Sequence, residues 1–204
     1  RFDSTGGVIT VGNGGITINH TGTVTIGSAL NGGTGVIDID STGALNISNT
    51  VNSTTGTVNL DANGQTTINS SGDITTTTGN VSLGANRNGA ISTQGEIVTS
   101  GGNATFYNAT TLAGQVDINT ADGDMAFLGT VNGNSDLNLT AGAGNIAISG
   151  SVGGTTPLAD VSIASAANVT ISAPLNASTV TQTTATGTTT INAGISTTGA
   201  GGVD

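Results

Sequence analysis

The feature that most constrains this sequence is an apolar doublet, with apolar residues at positions i and i+2, that returns in a fixed order along the chain. Residues two apart lie on the same face of a β-strand. A typical unit has the doublets Ile16/Ile18 and Val24/Ile26, followed by the single apolar residue Leu30. Gly, Asn, Asp, Ser and Thr fill the intervals, and these residues are typical of tight turns. The pattern predicts an all-β chain with three short strands per unit.

The units recur every 21–24 residues, apart from one irregular stretch, and their predicted starts are Ile16, Ile37, Val58, Val81, Val116, Leu137 and Val161. A degenerate last unit holds Val180, Ile191 and Ile195. One such unit cannot bury its own apolar face, whereas a stack of units buries it completely. We therefore predict one domain over residues 1–204, a parallel β-helix, or β-solenoid, of eight to nine coils. Because crossovers between parallel strands are almost always right-handed, the expected β-helix is right-handed.

An antiparallel sandwich is the alternative fold, since it also uses many short strands separated by turns. A sandwich does not require a constant phase over most of the chain, and it usually buries several aromatic side chains. This chain has only three Phe, one Tyr and no Trp. The phase and the scarcity of aromatic residues favour the solenoid.

The stretch 105–115 interrupts the phase. The doublet Ala104/Phe106 opens a unit, but only Leu112 follows before Val116/Ile118, which we interpret as the opening of the next unit. The stretch is predicted to be a shortened coil or a protruding loop, and it contains the one tyrosine, Tyr107. Loops on a rigid scaffold often carry function, although a tolerated insertion is the preferred interpretation.

Charge excludes several classes of partner. The formal net charge is −10, and Arg1 and Arg87 are the only lysine or arginine residues. Two arginines cannot supply the basic footprint that nucleic acids or anionic lipid surfaces require. No apolar run approaches the roughly 20 residues of a membrane span, so membrane insertion is not expected. No export signal follows Arg1, and the chain is therefore interpreted as a mature protein or a segment of a longer repetitive one.

Two sets of residues, all but one of them acidic, are expected to stack in successive coils, about 4.8 Å apart. Asn19, Asp40 and Asp61 each follow a first doublet, and Asp73 and Glu96 each precede the third strand of neighbouring coils. A carboxylate pair at this separation resembles the pair of retaining glycosidases, or half of a Ca²⁺ site. Solvated turn carboxylates are the preferred interpretation.

The remaining candidates also fall short of a site. Asp122 and Asp124 resemble a fragment of a Ca²⁺ loop, but the full glycine-rich nonapeptide is absent. Arg87 is predicted to lie in a turn, without an acidic cluster beside it. No Ser/His/Asp set or phosphate loop is present. We therefore predict no catalytic residue, no metal site and no cofactor.

The register of units such as 56–64 (GTVNLDANG) and 144–152 (GNIAISGSV) resembles the shaft repeats of filamentous-haemagglutinin-like exoproteins, which are bacterial adhesins exported by two-partner secretion. Autotransporter passengers are similar. The family's secretion domain carries an Asn-Pro-Asn motif, but here Pro157 and Pro174 stand in other contexts. The resemblance implies a non-enzymatic shaft, structural or adhesive, at the bacterial cell surface. Any host or cell-surface glycan or protein would be bound by regions outside this segment.

Two other functions remain open. Terminal coils of a solenoid expose unpaired strand edges, so copies could stack end to end into an extracellular fibre. A carbohydrate-active β-helix enzyme of the pectate-lyase type is the third hypothesis, and it is the least favoured because no basic residue is expected over a carboxylate cluster.

Overall fold

A computed structural model describes residues 1–4 and 6–204, and its strands form three parallel sheets. Sheet I contains Ile16–His20, Ile37–Ser41, Val58–Ala62, Val81–Leu83, Ala104–Phe106, Met125–Phe127, Ile146–Ile148, Val169–Ile171 and Thr189–Ile191. Sheet II contains Phe2–Asp3, Val24–Ile26, Leu45–Ile47, Thr66–Ile68, Ile91–Thr93, Thr110–Leu112 and Val131–Asn132. Sheet III contains Ile9–Thr10, Leu30–Asn31, Val51–Ser53, Ile74–Thr76, Ile97–Val98, Val116–Asn119, Leu137–Thr140, Leu158–Ser165, Leu175–Gln182 and Ile195–Thr197.

Each strand pairs with the strand one coil away. Ile16 is in register with Ile37, and Ile37 with Val58, so one coil takes about 21 residues and the chain makes about nine turns. Every strand pairing among the described residues is parallel. The predicted parallel β-solenoid is confirmed and the antiparallel sandwich is excluded. The right-handed sense of the coil stays a prediction.

The interior is a column of aliphatic side chains. The residues of the predicted doublets point inward, and most are at most 1% exposed, as Ile26 and Leu60 illustrate. Two aromatic rings interrupt the column, because Phe106 stacks on Phe127 with ring centroids 4.8 Å apart. Inward threonines, among them Thr66 and Thr110, replace aliphatic residues in sheet II.

The predicted irregularity at 105–115 is wrong. Ala104–Phe106 pairs with strands on both sides in sheet I, Thr110–Leu112 does so in sheet II, and Val116–Asn119 does so in sheet III. This stretch is a complete coil. The doublet Val116/Ile118 therefore belongs to the third strand of its coil and does not open a new one, since Ile118 pairs with Ile97.

The error has a physical cause at the corner between sheets I and II. From the last inward residue of one strand to the first of the next, this corner spans six positions after Ile18, eight after Leu83 and only four after Phe106. The strand Thr110–Leu112 therefore comes earlier than the spacing of the other units predicts, and its first inward residue is a threonine. For both reasons the apolar pattern does not reveal this strand. The next coil keeps the short corner, from Phe127 to Val131. Isolated parallel bridges then place Val152 beside Val131 and Leu175 beside Val152.

The corner between sheets III and I is built on stacked glycines. Gly56, Gly79, Gly102, Gly123 and Gly144 follow one another in successive coils, and a Cβ on any of them would lie 1.9–2.1 Å from the carbonyl oxygen of the preceding glycine. Buried hydroxyls three residues earlier close the same turn, for example by donating from Thr120 Oγ1 to the Gly123 carbonyl at 2.6 Å. Only glycine allows coils to stack this closely here.

Candidate functional site

The most elaborate polar cluster lies at the corner between sheets I and II, around the one eight-position turn. As predicted, Asn19, Asp40 and Asp61 form a ladder in neighbouring strands of sheet I. Arg87 reaches back across two coils to this ladder. Its Nε lies 3.1 Å from Asp40 Oδ1, and its Nη1 donates to Asn63 Oδ1 at 3.4 Å. We call this group of residues, with Asn86, the Arg87 corner.

Asp61 is the buried member of the Arg87 corner, with no exposed surface. Its Oδ1 accepts the backbone N–H of Asn86 at 3.0 Å, and its Oδ2 accepts from Asn86 Nδ2 at 3.0 Å. The carboxylate therefore caps the long turn that carries Arg87. A buried carboxylate is tolerated when hydrogen bonds replace its water.

Asn108, from the next coil, supports the same turn from the opposite side. Its Nδ2 is within hydrogen-bonding distance of the carbonyl oxygens of Gly84, Arg87 and Gly89, at 3.2, 2.6 and 3.0 Å. The two N–H groups of this amide are shared among three backbone carbonyls, of which Arg87 and Gly89 are the nearest. Asp61 on one side and Asn108 on the other thus hold the turn in place, and in this position Arg87 reaches Asp40.

No acidic cluster was predicted beside Arg87, but the structure places it against Asp40, which neighbours Asp61 in the ladder. Its partner Asp40 is 47 residues away in sequence, and the two extra positions of this turn are what bring the guanidinium onto the ladder. Asp40 and Arg87 neutralise each other, and Asp61 is occupied by Asn86. This arrangement joins coils.

Substituting Asp61 tests the capping role. Asp61→Ala removes the buried carboxylate that accepts from both the backbone N–H and the side-chain Nδ2 of Asn86. Because both bonds are made to a charged acceptor, we expect the free energy of unfolding to fall by about 1–3 kcal/mol in urea titrations. Asp38→Ala is the matched control, because Asp38 lies outward in the same sheet and its contact is a 3.3 Å bond from Asn59 Nδ2. The control should change stability by less than about 0.5 kcal/mol. Equal losses in the two variants would show that Asp61 is not a cap.

The predicted neighbours Asp73 and Glu96 are adjacent, since the Glu96 N–H donates to Asp73 Oδ1 at 3.0 Å. The register places a third carboxylate, Asp117, next in this row, because Ile97 pairs with Ile118. Asp117 Oδ1 accepts from Asn138 Nδ2 at 2.6 Å. The sequence analysis missed Asp117 because it assigned the doublet Val116/Ile118, which encloses this residue, to the first strand of a coil and not to the third.

Asp122 and Asp124 both accept hydrogen bonds from backbone N–H groups of the next coil. Asp122 Oδ1 accepts the Ala143 N–H at 2.9 Å, and Asp124 Oδ1 accepts the Asn145 N–H at 2.7 Å. Asp124 belongs to an amide and carboxylate ladder that precedes the strands of sheet I. The members of this ladder are Asn80, Asn103, Asp124, Asn145 and Asn168. A Gly-Asn or Gly-Asp dipeptide before most of these strands is the sequence signal that could have revealed the ladder.

Within the part of the chain that the structure describes, no group of three or more His, Cys, Asp or Glu residues is arranged to hold a metal ion. The one buried side-chain nitrogen or oxygen without a hydrogen-bond partner in that part is His20 Nε2. Over the same residues, no helix has the length and apolar character needed to cross a membrane.

Two exposed apolar residues lie side by side on the outer surface, among the residues that the structure describes. Tyr107 and Leu128 are 40% and 46% exposed, and they lie one coil apart, next in sequence to the stacked Phe106 and Phe127.

Comparisons of the chain with protein-family models, with curated proteins and with solved structures find no significant match.

Proposed function

We propose that this chain is a non-enzymatic structural shaft of an extracellular adhesin, secreted by a bacterium or held at its surface. The observation that supports this most directly is the unbroken stack in sheet I from Ile16 to Thr189, with each strand paired to the next. About nine coils at about 4.8 Å each make a rod roughly 40 Å long. A rod of this kind holds whatever is attached to its two ends at a fixed distance.

The use of polar side chains supports the same proposal. The carboxylates and amides of the Arg87 corner and of the ladder through Asp124 bond to the coil above or below. Groups that act in catalysis need access to a substrate, and these are engaged in coil-to-coil contacts. The extracellular bacterial location rests on the resemblance to shaft repeats of two-partner secretion exoproteins.

The shaft function can be tested by a reach experiment. A short peptide epitope is fused to one end of the chain, and the other end is anchored to a bead that carries a dense polymer brush. We expect the rod to raise epitope capture by antibody-coated particles. Gly102→Ala is the matched control, because its length and composition are almost unchanged and its stacking is expected to be disrupted. No gain from the intact chain over this variant would contradict the proposal.

A second test separates a shaft from a binding domain. Beads coated with the chain alone should adhere to host cells no better than uncoated beads, because the proposal assigns receptor contact to regions outside this segment. Specific adhesion that is competed by the soluble chain would contradict that division of roles.

A self-assembling fibre subunit is the second candidate, and the last coil of the 204 residues would be its contact surface. A cavity of about 270 Å³ opens there, lined by apolar side chains that include Ile191, Ile195 and Val203. Ile191 is 48% exposed and Val203 is 56% exposed. An interface between unlike ends would extend without closing. Electron microscopy of the purified chain decides between the two, since a fibre subunit gives filaments that lengthen with concentration and a shaft segment gives single rods.

The carbohydrate-active enzyme is the remaining hypothesis, and its acidic row is the feature to test. We expect no turnover of polygalacturonate or other acidic polysaccharides by the chain. Any trace of released reducing sugar should be unchanged in Asp73→Asn and Glu96→Gln, with Asp38→Asn as the control outside the row. Turnover that both row variants abolish and the control retains would establish an enzyme and overturn the shaft proposal.

A further inference from the structure

Five asparagines in this chain are followed directly by glycine, which is the dipeptide most open to spontaneous loss of the side-chain amide. They are Asn13, Asn31, Asn63, Asn88 and Asn132. In this reaction the glycine nitrogen attacks the asparagine side-chain carbonyl carbon. Glycine permits the attack because it has no Cβ to hinder it and because its backbone is mobile. The five sites share the same local chemistry, so the fold decides which of them reacts.

Four of the five glycine nitrogens are engaged in hydrogen bonds between coils. The acceptors are the carbonyl oxygens of Asn52 for Gly32 (2.8 Å), Gly43 for Gly64 (2.9 Å), Ala62 for Gly89 (2.9 Å) and Thr156 for Gly133 (3.2 Å). Attack at these sites requires the coil to open first, because the nitrogen is held in the ladder. Local opening of a packed coil is a rare state of the native protein.

The fifth site, Asn13–Gly14, lies in the first turn of the rod, and its glycine nitrogen is not held in this way. Among the described residues, no hydrogen bond is made by the Gly14 nitrogen. In the 204-residue chain Asn13 and Gly14 are both exposed, and nothing lies within 4 Å of a Cβ built on Gly14. Glycines at 12 and 15 flank the pair, so the backbone here can reach the geometry that the attack requires.

We infer that Asn13 is a selective deamidation site of the folded 204-residue chain. The Gly14 nitrogen loses its proton to solvent base and forms a bond to Asn13 Cγ. That bond closes a five-membered ring. The bond from Cγ to the side-chain nitrogen then breaks, the nitrogen takes up a proton from the solvent and leaves as ammonia, and the ring becomes a succinimide. Water then opens the ring at either carbonyl and gives aspartate or isoaspartate. One water is consumed and one ammonia is released, nothing is oxidised or reduced, and the turn gains one negative charge.

Peptide mapping by mass spectrometry tests this inference. The purified chain is incubated at mildly alkaline pH and physiological temperature, and conversion is followed at all five dipeptides. We expect Asn13 to convert at least about tenfold faster than each of the other four, since the near-attack geometry is accessible only there. In concentrated urea the five rates should converge, because the ladder that protects the other four is gone. A second dipeptide that converts as fast as Asn13 in the folded chain would overturn the inference.

A matched pair of variants locates the attacking nitrogen. Gly14→Ala should reduce conversion of Asn13 to the level of the protected sites, whereas Gly12→Ala should leave it unchanged. Both positions have open space around an added Cβ, so both variants are expected to fold. Equal rates in the two variants would show that the Gly14 nitrogen does not control the reaction.

Discussion

Gly102→Ala should destabilise this protein by about 3 kcal/mol or more, although it adds a single methyl group. The new Cβ would lie 1.9 Å from the carbonyl oxygen of Gly79 in the preceding coil. That atom belongs to the backbone and cannot rotate away, so one coil must move relative to the next. Such a shift also breaks the turn closed by the buried Thr99 hydroxyl, which donates to the Gly102 carbonyl. Urea titration followed by circular dichroism measures the loss.

Gly154→Ala is the control for steric crowding. Gly154 is exposed, and the nearest heavy atom to its added Cβ would be Ser151 Oγ at 3.4 Å. We expect stability to change by no more than about 0.5 kcal/mol, or to rise slightly because alanine restricts the unfolded chain. If Gly102→Ala were as mild as Gly154→Ala, the close stacking of the corner glycines would not determine stability.

Phe127→Ala is expected to have the second large effect, a loss of about 3–5 kcal/mol. Phe127 is 1% exposed and its ring stacks on Phe106 at an interplanar angle of 18°. Truncation leaves a cavity within a narrow column, where the surrounding strands are held by their ladders and cannot collapse into the space. Thermal unfolding should show a lower Tm for this variant.

Leu128→Ala provides the control at the adjacent position, because Leu128 points outward and is 46% exposed. Its loss should stay within about 0.5 kcal/mol. A cycle that combines Phe127→Ala with Phe106→Ala should show non-additive losses, because the two rings are in contact. Additive losses would mean that the stacked rings contribute no energy beyond their separate burial.

Several elements of the fold followed from local chemistry alone. Doublets such as Ile37/Ile39 could be assigned to inward strand positions because residues two apart share a face. The return of the doublets every 21–24 residues indicated coils, because only stacking neighbours bury such units. The same register placed Asp40 beside Asp61 and Asp73 beside Glu96, and the structure confirms both pairs.

Other features depended on how many residues each corner takes, which no periodic pattern specifies. The short corner after Phe106 moved Val116/Ile118 into sheet III and brought Asp117 beside Glu96. The long corner after Leu83 carried Arg87 back over two coils to Asp40.

The periodic sequence by itself favoured parallel coils stacked around an aliphatic column, because stacked units bury the apolar face that each unit repeats. Only the tertiary structure decided which strand follows each corner, which carboxylate meets Arg87, and which glycine nitrogen is left without a partner. These contacts join residues 20 or more positions apart, and small changes in turn length shift them. The apolar pattern does not indicate the length of a corner, since inward-facing apolar residues follow a short corner and a long one alike.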